Sequence, residues 1–529
     1  MSGVFHQPCD EAVARATRAG EPCARKKAPW VLAATILGSS MAFIDGTVVN
    51  IALPALQTDL HASLVDVQWV IEAYSLLLAA FILTGGSLGD RLGRRRIFLA
   101  GTIIFALASL GCAFAATIGQ LVAARAIQGL GGALLVPGSL SILASSFSEK
   151  DRGRAIGTWS GFTSITAAAG PVLGGWLIDH LSWRAAFVIN LPIAFAVVVI
   201  SLCFIPESRG EQGGGKLDWP GALLAGVGLG GVVYALLESS NLGWSHPRIW
   251  GALILGVAAS ICFLAVERRA ADPMLPLELF RSRNFAGANL LTLFLYTALT
   301  GVLFFFPLNL IQVQGYTATA AGVALLPFIL LMFFISRWSG TLFDRFGGRR
   351  PLIIGCSIAA LGFALFAIPG VGGSYLTTFL LPILVLGLGV ATSVPPLTTA
   401  VMSAVPSKHA GAASGVNNAV SRVAGLMAVA VFSIVMLRIF EPRLDEGLSH
   451  TSLGASAQAE IRSQSSRLGA AQLPKDLTAS ERASAERVIG SAFVAGFRAV
   501  ALISAALALL AAVTAGRMIG ERKSPRDAR

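Results

Sequence analysis

Residues 86–96 read GSLGDRLGRRR and residues 340–350 read GTLFDRFGGRR, with seven of the eleven positions identical. Each copy is a short charged, glycine-rich stretch between two apolar runs. A segment that recurs this way marks an internal repeat. What is repeated follows from the runs on either side.

A helix that crosses a bilayer needs about 20 mainly apolar residues, because ~30 Å of hydrocarbon is covered at ~1.5 Å per residue. Fourteen runs meet that length, at 30–56, 68–88, 97–116, 118–146, 155–178, 184–205, 219–238, 249–266, 285–312, 319–341, 351–370, 375–404, 410–440 and 494–516. Over the 529 residues, 55% are hydrophobic and 13% charged, whereas soluble chains carry about 25% charged residues. The chain therefore reads as an all-α integral membrane protein. The first copy of the repeat follows the second run and the second copy follows the tenth, so eight helices separate them. Two six-helix halves with an inserted pair satisfy that spacing. The expected organisation is a tail at 1–29, a bundle at 30–205, an inserted pair at 206–284, a second bundle at 285–516 with a long extracytoplasmic loop at 441–493, and a tail at 517–529. Parallel six-helix repeats are a transporter architecture, with the binding site near the midplane between them.

The net charge of +12 could suggest a nucleic-acid partner, so the placement of the basic residues decides. Lys and Arg stand at 15, 18, 25, 26 and 27 before the first run, at 91, 94, 95 and 96 after the second, and at 150, 152 and 154 after the fourth. The same alternate loops stay basic through to 517, 522, 523, 526 and 529, while the short loops of the other set hold Arg184 and Arg248. This is the positive-inside pattern, with both termini cytoplasmic in a cell membrane. The basicity reports orientation and points to no nucleic acid. The first apolar run starts at Trp30 and is long enough to stay as a span, so no cleaved signal peptide is expected. The six cysteines are scattered singly and suggest neither disulfides nor a metal site.

Several further stretches carry a resemblance. LVAARAIQGLGGA (121–133), AGPVLGGWL (169–177), IDGTVVNIALP, WVIEAYSL (69–76) and SWRAAFVINLP (182–192), together with the 86–96 loop, resemble the motifs of the major facilitator superfamily. The group they are most similar to is its fourteen-span drug:proton antiporters of the EmrB/QacA type. That resemblance implies a major facilitator fold and bacterial plasma or inner membrane location. It also implies multidrug efflux of lipophilic, cationic compounds conferring drug resistance, driven by the proton gradient without a cofactor. It makes Gly170, Pro171, Gly174 and Gly175 the antiporter motif of the fifth helix, and departs from that motif at Thr166, where a glycine is usual.

The chemistry is expected at charges inside the spans. Asp45 sits in the first run, where an acid at mid-membrane costs about 2.5–3.5 kcal/mol on insertion scales. It reads as a proton site, with interhelical packing glue as the plainer alternative. Glu72, about a turn into the second helix, reads either as a second proton or cation site or as a hydrated helix-start acid. In the group it resembles, an acid here goes with cationic substrates. Arg125 shares a face of the fourth helix with Gln128, Gly129 and Gly132; the resemblance makes it part of proton coupling, and a structural charge pair is the other reading. Asn50, Trp69, Tyr74, Gln128, Asn309 and Gln312 are candidates for lining the substrate cavity, whereas Arg337 and Arg422 rank lower because they lie alone or near helix ends. In the repeat, Gly86, Asp90, Arg91, Gly93 and Arg94, with Asp344 and Arg345 in the second copy, read as a cytoplasmic gate. The inserted pair reads as lipid-facing scaffold.

Other classes fit less well. GGGKL (213–217) lacks the spacing and hydroxyl of a phosphate-binding loop, and all six histidines fall outside the runs, leaving no nucleophile–base constellation for a membrane enzyme. The partners expected are a small-molecule substrate, protons and membrane lipid, for a protein that can work as a monomer. The competing function is proton-linked transport of one metabolite or organic anion.

Overall fold

The computed structural model describes residues 27–147, 149–209, 218–270, 275, 277–335, 347–405 and 410–520. Fourteen main helices occupy these segments. They are α1 (Ala28–Asp59), α2 (Leu64–Leu92), α3 (Arg94–Ala113), α4 (Ile118–Ser146), α5 (Glu149–His180), α6 (Ala185–Phe204), α7 (Trp219–Leu242), α8 (Pro247–Glu267), α9 (Arg283–Leu308), α10 (Ala318–Ile335), α11 (Arg349–Leu365), α12 (Leu380–Ser403), α13 (Ala410–Ser449) and α14 (Ala479–Met518).

Among the described residues, twelve helices are long and apolar enough to cross a membrane, not the fourteen expected. The other two expected spans coincide with α5 and α11. The described part of α11 is 17 residues long, and α5 begins with the charged stretch EKDRGR.

Local sequence sets the ends. Ser63 and Asp66 form a reciprocal cap on α2: the Asp66 amide donates to the Ser63 hydroxyl (3.2 Å) and the Ser63 amide to the Asp66 carboxylate (2.8 Å). At the other end Gly93 adopts φ 118°, which lets the chain turn directly from α2 into α3. The free amides of that new helix are met by the segment leaving α6, Arg94 donating to the Ser208 carbonyl (2.9 Å) and Arg95 to Glu207 (3.1 Å). A π turn, Asn309–Val313, continues α9 beyond Pro307.

In the first half α4 packs on α2 and α3, and α1 on α5 and α6. In the second, α9 packs on α13 and α14, and α11 on α12 and α14. The halves meet at the end of the molecule that carries the α1–α2 turn, opposite the 86–96 loop. There α5 crosses α10 so closely that a Cβ on Gly175 would overlap the Ala318 carbonyl and one on Gly322 the Pro171 carbonyl. Gln312 donates to Gln57 (2.6 Å), and Gln68 donates to Ser433.

The structure corrects one expectation. The inserted pair is more than a lipid-facing scaffold. The outer helix α8 does expose Ile254, Leu255 and Ile261, but α7 packs on both α2 and α13, with Val233 and Leu237 buried against Val65, Leu76, Leu426 and Ala430. Hydropathy cannot distinguish a helix that faces lipid on one side from one that faces it all round. In the 441–493 stretch α13 runs on to Ser449 and a short helix covers Ala455–Ser463; the pattern AERVIGSAFVAGFRAV suggests a helix running into the last span, and α14 does start at Ala479. Leu468, buried and at φ 55°, anchors the turn between them, and the neighbouring Arg467 donates to the His61 carbonyl (3.1 Å). This cap thus reaches across to the first half.

Candidate proton and substrate site

Asp45 and Arg125 come together in the interior of the first half. Arg125 Nη1 lies 2.5 Å from Asp45 Oδ2, and the two side chains are 1% and 0% exposed. Asp45 Oδ1 accepts from Gln128 Nε2 (2.9 Å) and Asn190 Nδ2 (3.3 Å), and both amides also donate to Ser109 Oγ (2.8 and 3.2 Å). Arg125 Nε donates to the Val70 carbonyl (2.9 Å) and Nη1 to Gln128 Oε1 (2.6 Å), while its Cζ sits 4.3 Å from the centre of the Tyr74 ring. Five helices, α1, α2, α3, α4 and α6, supply this network. Asn190 and Ser109 were missed in the sequence. Asn190 lies within the quoted stretch SWRAAFVINLP, where a lone amide in an apolar run is the signal that could have found it.

Such a network keeps a buried charge pair satisfied on every side. An ion pair out of water is stable only if its remaining hydrogen-bonding positions are filled, and breaking one by removing a partner costs about 3–5 kcal/mol. Here the guanidinium keeps Val70, Gln128 and the Tyr74 face if the carboxylate is neutralised.

Glu72 lies deeper than expected. It is 1% exposed, and its Oε2 has no hydrogen-bond partner. With Ser75, Thr300, Phe304 and Arg422 it lines a cavity of about 20 Å³ between α2 and the second half. Arg422, ranked low from sequence, is 7% exposed and faces that same cavity. Position along a helix had suggested surface hydration for Glu72, but α7 and α13 pack over this part of α2.

The other cavity candidates divide. Tyr74 and Gln128 belong to the Asp45 network, and Asn50 is buried close by in α1, donating to the Gly46 carbonyl (2.8 Å) with its Oδ1 unpartnered. Trp69 is instead in the seam with α7, its indole donating to Glu238 (2.9 Å). Asn309 and Gln312 lie in the closed end, bonded to Gln314 (3.1 Å) and Gln57. A wider cavity of about 510 Å³ opens at this end beside Asp59, Asp179, Trp183, Arg184 and Tyr316, separate from the buried acids.

At the 86–96 loop the observed pair is Asp90 with Arg94 (2.8 Å). Glu207, which the sequence did not single out, lies 3.8 and 3.7 Å from Arg95 and Arg96 and fills the space beside Gly93. Just before the loop, a Cβ on Gly85 would overlap the Ala133 carbonyl, whereas Gly86 has a 3.6 Å neighbour in Pro137. Arg91 is half-buried beside them. Asp344 and Arg345 lie outside the described residues, as does Arg337. In α5, Gly170 and Gly174 press on Thr47 and Val48 of α1. Thr166, at the departure from the motif, donates to the Ser40 hydroxyl across the same contact (3.0 Å).

Residues 35–429 match the model of the Major Facilitator Superfamily. The "Tetracenomycin C resistance and export protein" of Streptomyces glaucescens is 32% identical over 97% of this chain and 94% of its own length. The "Multidrug resistance protein Stp" of Mycobacterium tuberculosis is 35% identical over 79% of this chain and 78% of its own. Among solved structures, an inward-facing bacterial homologue of the human lysosomal transporter Spinster superposes with a TM-score of 0.65 at 17% identity, covering 95% of this chain and all of that one, a likeness of fold. This chain is a multi-pass membrane protein and a member of the Major Facilitator Superfamily, a family of transporters and not of enzymes.

Proposed function

We propose that the protein is a proton-coupled exporter of lipophilic, cationic drugs or toxic compounds, working by alternating access as a fourteen-span antiporter of the EmrB/QacA type. In this reading α5 and α11 cross the membrane with the other twelve helices, both termini are cytoplasmic, and a monomer suffices. No cofactor is needed, since the proton gradient drives the cycle. The relatives named for drug resistance and export support drug export. The observation that carries the mechanism is the fully buried Asp45 carboxylate on Arg125.

Protonation of Asp45 from outside loosens its hold on Arg125 and releases the substrate. Loss of that proton inside restores the pair and resets the site. One proton moving down one pH unit supplies ~1.4 kcal/mol, and crossing ~100 mV adds ~2.3 kcal/mol. Exchange of one proton for one monovalent cation moves no net charge, so it draws on the pH term alone. A second protonation at Glu72 adds the voltage term.

The test uses everted vesicles with an acid interior. Tetraphenylphosphonium, neutral drugs and organic acids are added in turn, and the pH gradient is followed in wild type and Asp45→Asn. Dissipation by the cation in the wild type alone is expected; equal responses in both proteins would make Asp45 structural. Transport of one metabolite or organic anion is the second reading, favoured by Arg422 in the seam, and a response to acids alone would select it.

A further inference from the structure

Glu72 and Arg422 belong to different halves, on α2 and α13, yet they face one cavity. Both are buried, at 1% and 7% exposure. The Glu72 Oε2 has no hydrogen-bond partner, so a buried acceptor stands ready for a donor. The Arg422 guanidinium offers a planar fork of donors suited to a carboxylate or a phenolate. Ser75 and Thr300 add hydroxyls between them, and Phe304 gives an apolar wall. At about 20 Å³ the cavity now has room for little more than a water, so a larger occupant enters when α2 and α13 part.

We propose that Glu72 and Arg422 form a two-ended substrate site for amphoteric compounds, the cationic nitrogen bound at Glu72 and an acidic oxygen at Arg422. The proposal rests on the export reading and makes zwitterions the preferred substrates beside cations. It also explains why a seam suited to cations contains a guanidinium. A lone cation gains nothing from Arg422 and is repelled by it, whereas a molecule carrying both charges meets each with its opposite. Because the two ends are held by different halves, such a molecule spans the seam, and separation of the halves must release one end first.

Two dyes that differ at one group test this: rhodamine B, a zwitterion, and its ethyl ester, a cation. Uptake of each into acid-interior everted vesicles gives kcat/KM and hence a zwitterion-to-ester ratio. Wild type should favour rhodamine B. Replacing Arg422 with Gln should lower the ratio about tenfold, the scale of one lost charge-assisted contact, and Arg422→Lys should restore part of it. Glu72→Gln should raise KM for both dyes. Equal losses for both dyes in Arg422→Gln, or a ratio insensitive to it, would overturn the proposal. Export of the ester alone by the wild type would overturn it too while leaving cation export standing. Export of neither dye also counts against it, and the gradient response to tetraphenylphosphonium then decides separately whether the export reading survives.

Discussion

At the scale of residues, the Asp45 network separates function from packing by its charge balance. Arg125→Leu should strand a buried carboxylate and destabilise the protein by about 3–5 kcal/mol, seen as a lower unfolding temperature in detergent. The double variant Asp45→Leu/Arg125→Leu should recover most of that loss while remaining unable to couple transport to protons. Additive losses would mean that the two charges are stabilised independently. Asp45 and Arg125 were legible in the sequence because a charge inside an apolar run needs a partner, and an opposite charge in another run is an economical one. Ser109 and Asn190 were less legible, since a serine in a span can bond its own helix, as Ser109 does to the Phe105 carbonyl (2.9 Å). The depth of Glu72 was not legible at all. Distance from a helix start says where a residue lies along its own axis and nothing about which helix covers it.

At the scale of elements, α5 carries two kinds of close contact. Gly170 and Gly174 hold it against α1 within the first half, while Gly175 and the Pro171 carbonyl meet α10 of the second half. The first contact persists through a rocking cycle and the second must break. Gly170→Ala should therefore overpack a fixed interface, lowering stability by about 1–3 kcal/mol. Adding Thr47→Ala, which removes the hydroxyl in the way, should restore folded protein measured by size-exclusion recovery; failure of that rescue would mean that Gly170 is needed for something other than space. Thr166→Val removes the hydroxyl shared between Ser40 (3.0 Å) and the Thr163 carbonyl of its own helix (2.9 Å) and should cost about 0.5–1.5 kcal/mol. The small-residue stripe was readable from spacing, but its division between a fixed and a breakable interface was not, because both faces of α5 are written in the same residue types. The same ambiguity hid α7, whose apolar surface gives no hint that one side packs in the seam between the two halves.

At the scale of the whole molecule, the end that carries the α1–α2 turn is shut, and Asp179 is one of its fastenings. Its carboxylate, on α5, accepts from the amides of Ala318 (3.1 Å) and Thr319 (2.8 Å) and the Thr319 hydroxyl (2.5 Å) at the start of α10. Partial burial raises its pKa, but the bonds from Thr319 and Ala318 outweigh that and hold it below the usual carboxylate value. A depressed pKa means the latch is intact above the usual carboxylate range and is lost only as pH falls through the lowered value. Spin labels at Ser182 and Gly315 should thus report a constant closed fraction across neutral and mildly acid pH. Asp179→Asn should shift the distribution toward longer distances at neutral pH, and an unchanged distribution would remove Asp179 from the gate. The repeat at 86–96 and 340–350 made the two-half architecture visible in the sequence, yet the closed end was not, since one sequence encodes every state of the cycle. The central claim, that Asp45 exchanges a proton for substrate, is tested most directly by proton release on binding. In lightly buffered detergent at a series of pH values, adding tetraphenylphosphonium to the purified protein should release protons in proportion to cation bound, and Asp45→Asn should bind with less release, what is left coming from Glu72. Equal release from both proteins would contradict the account.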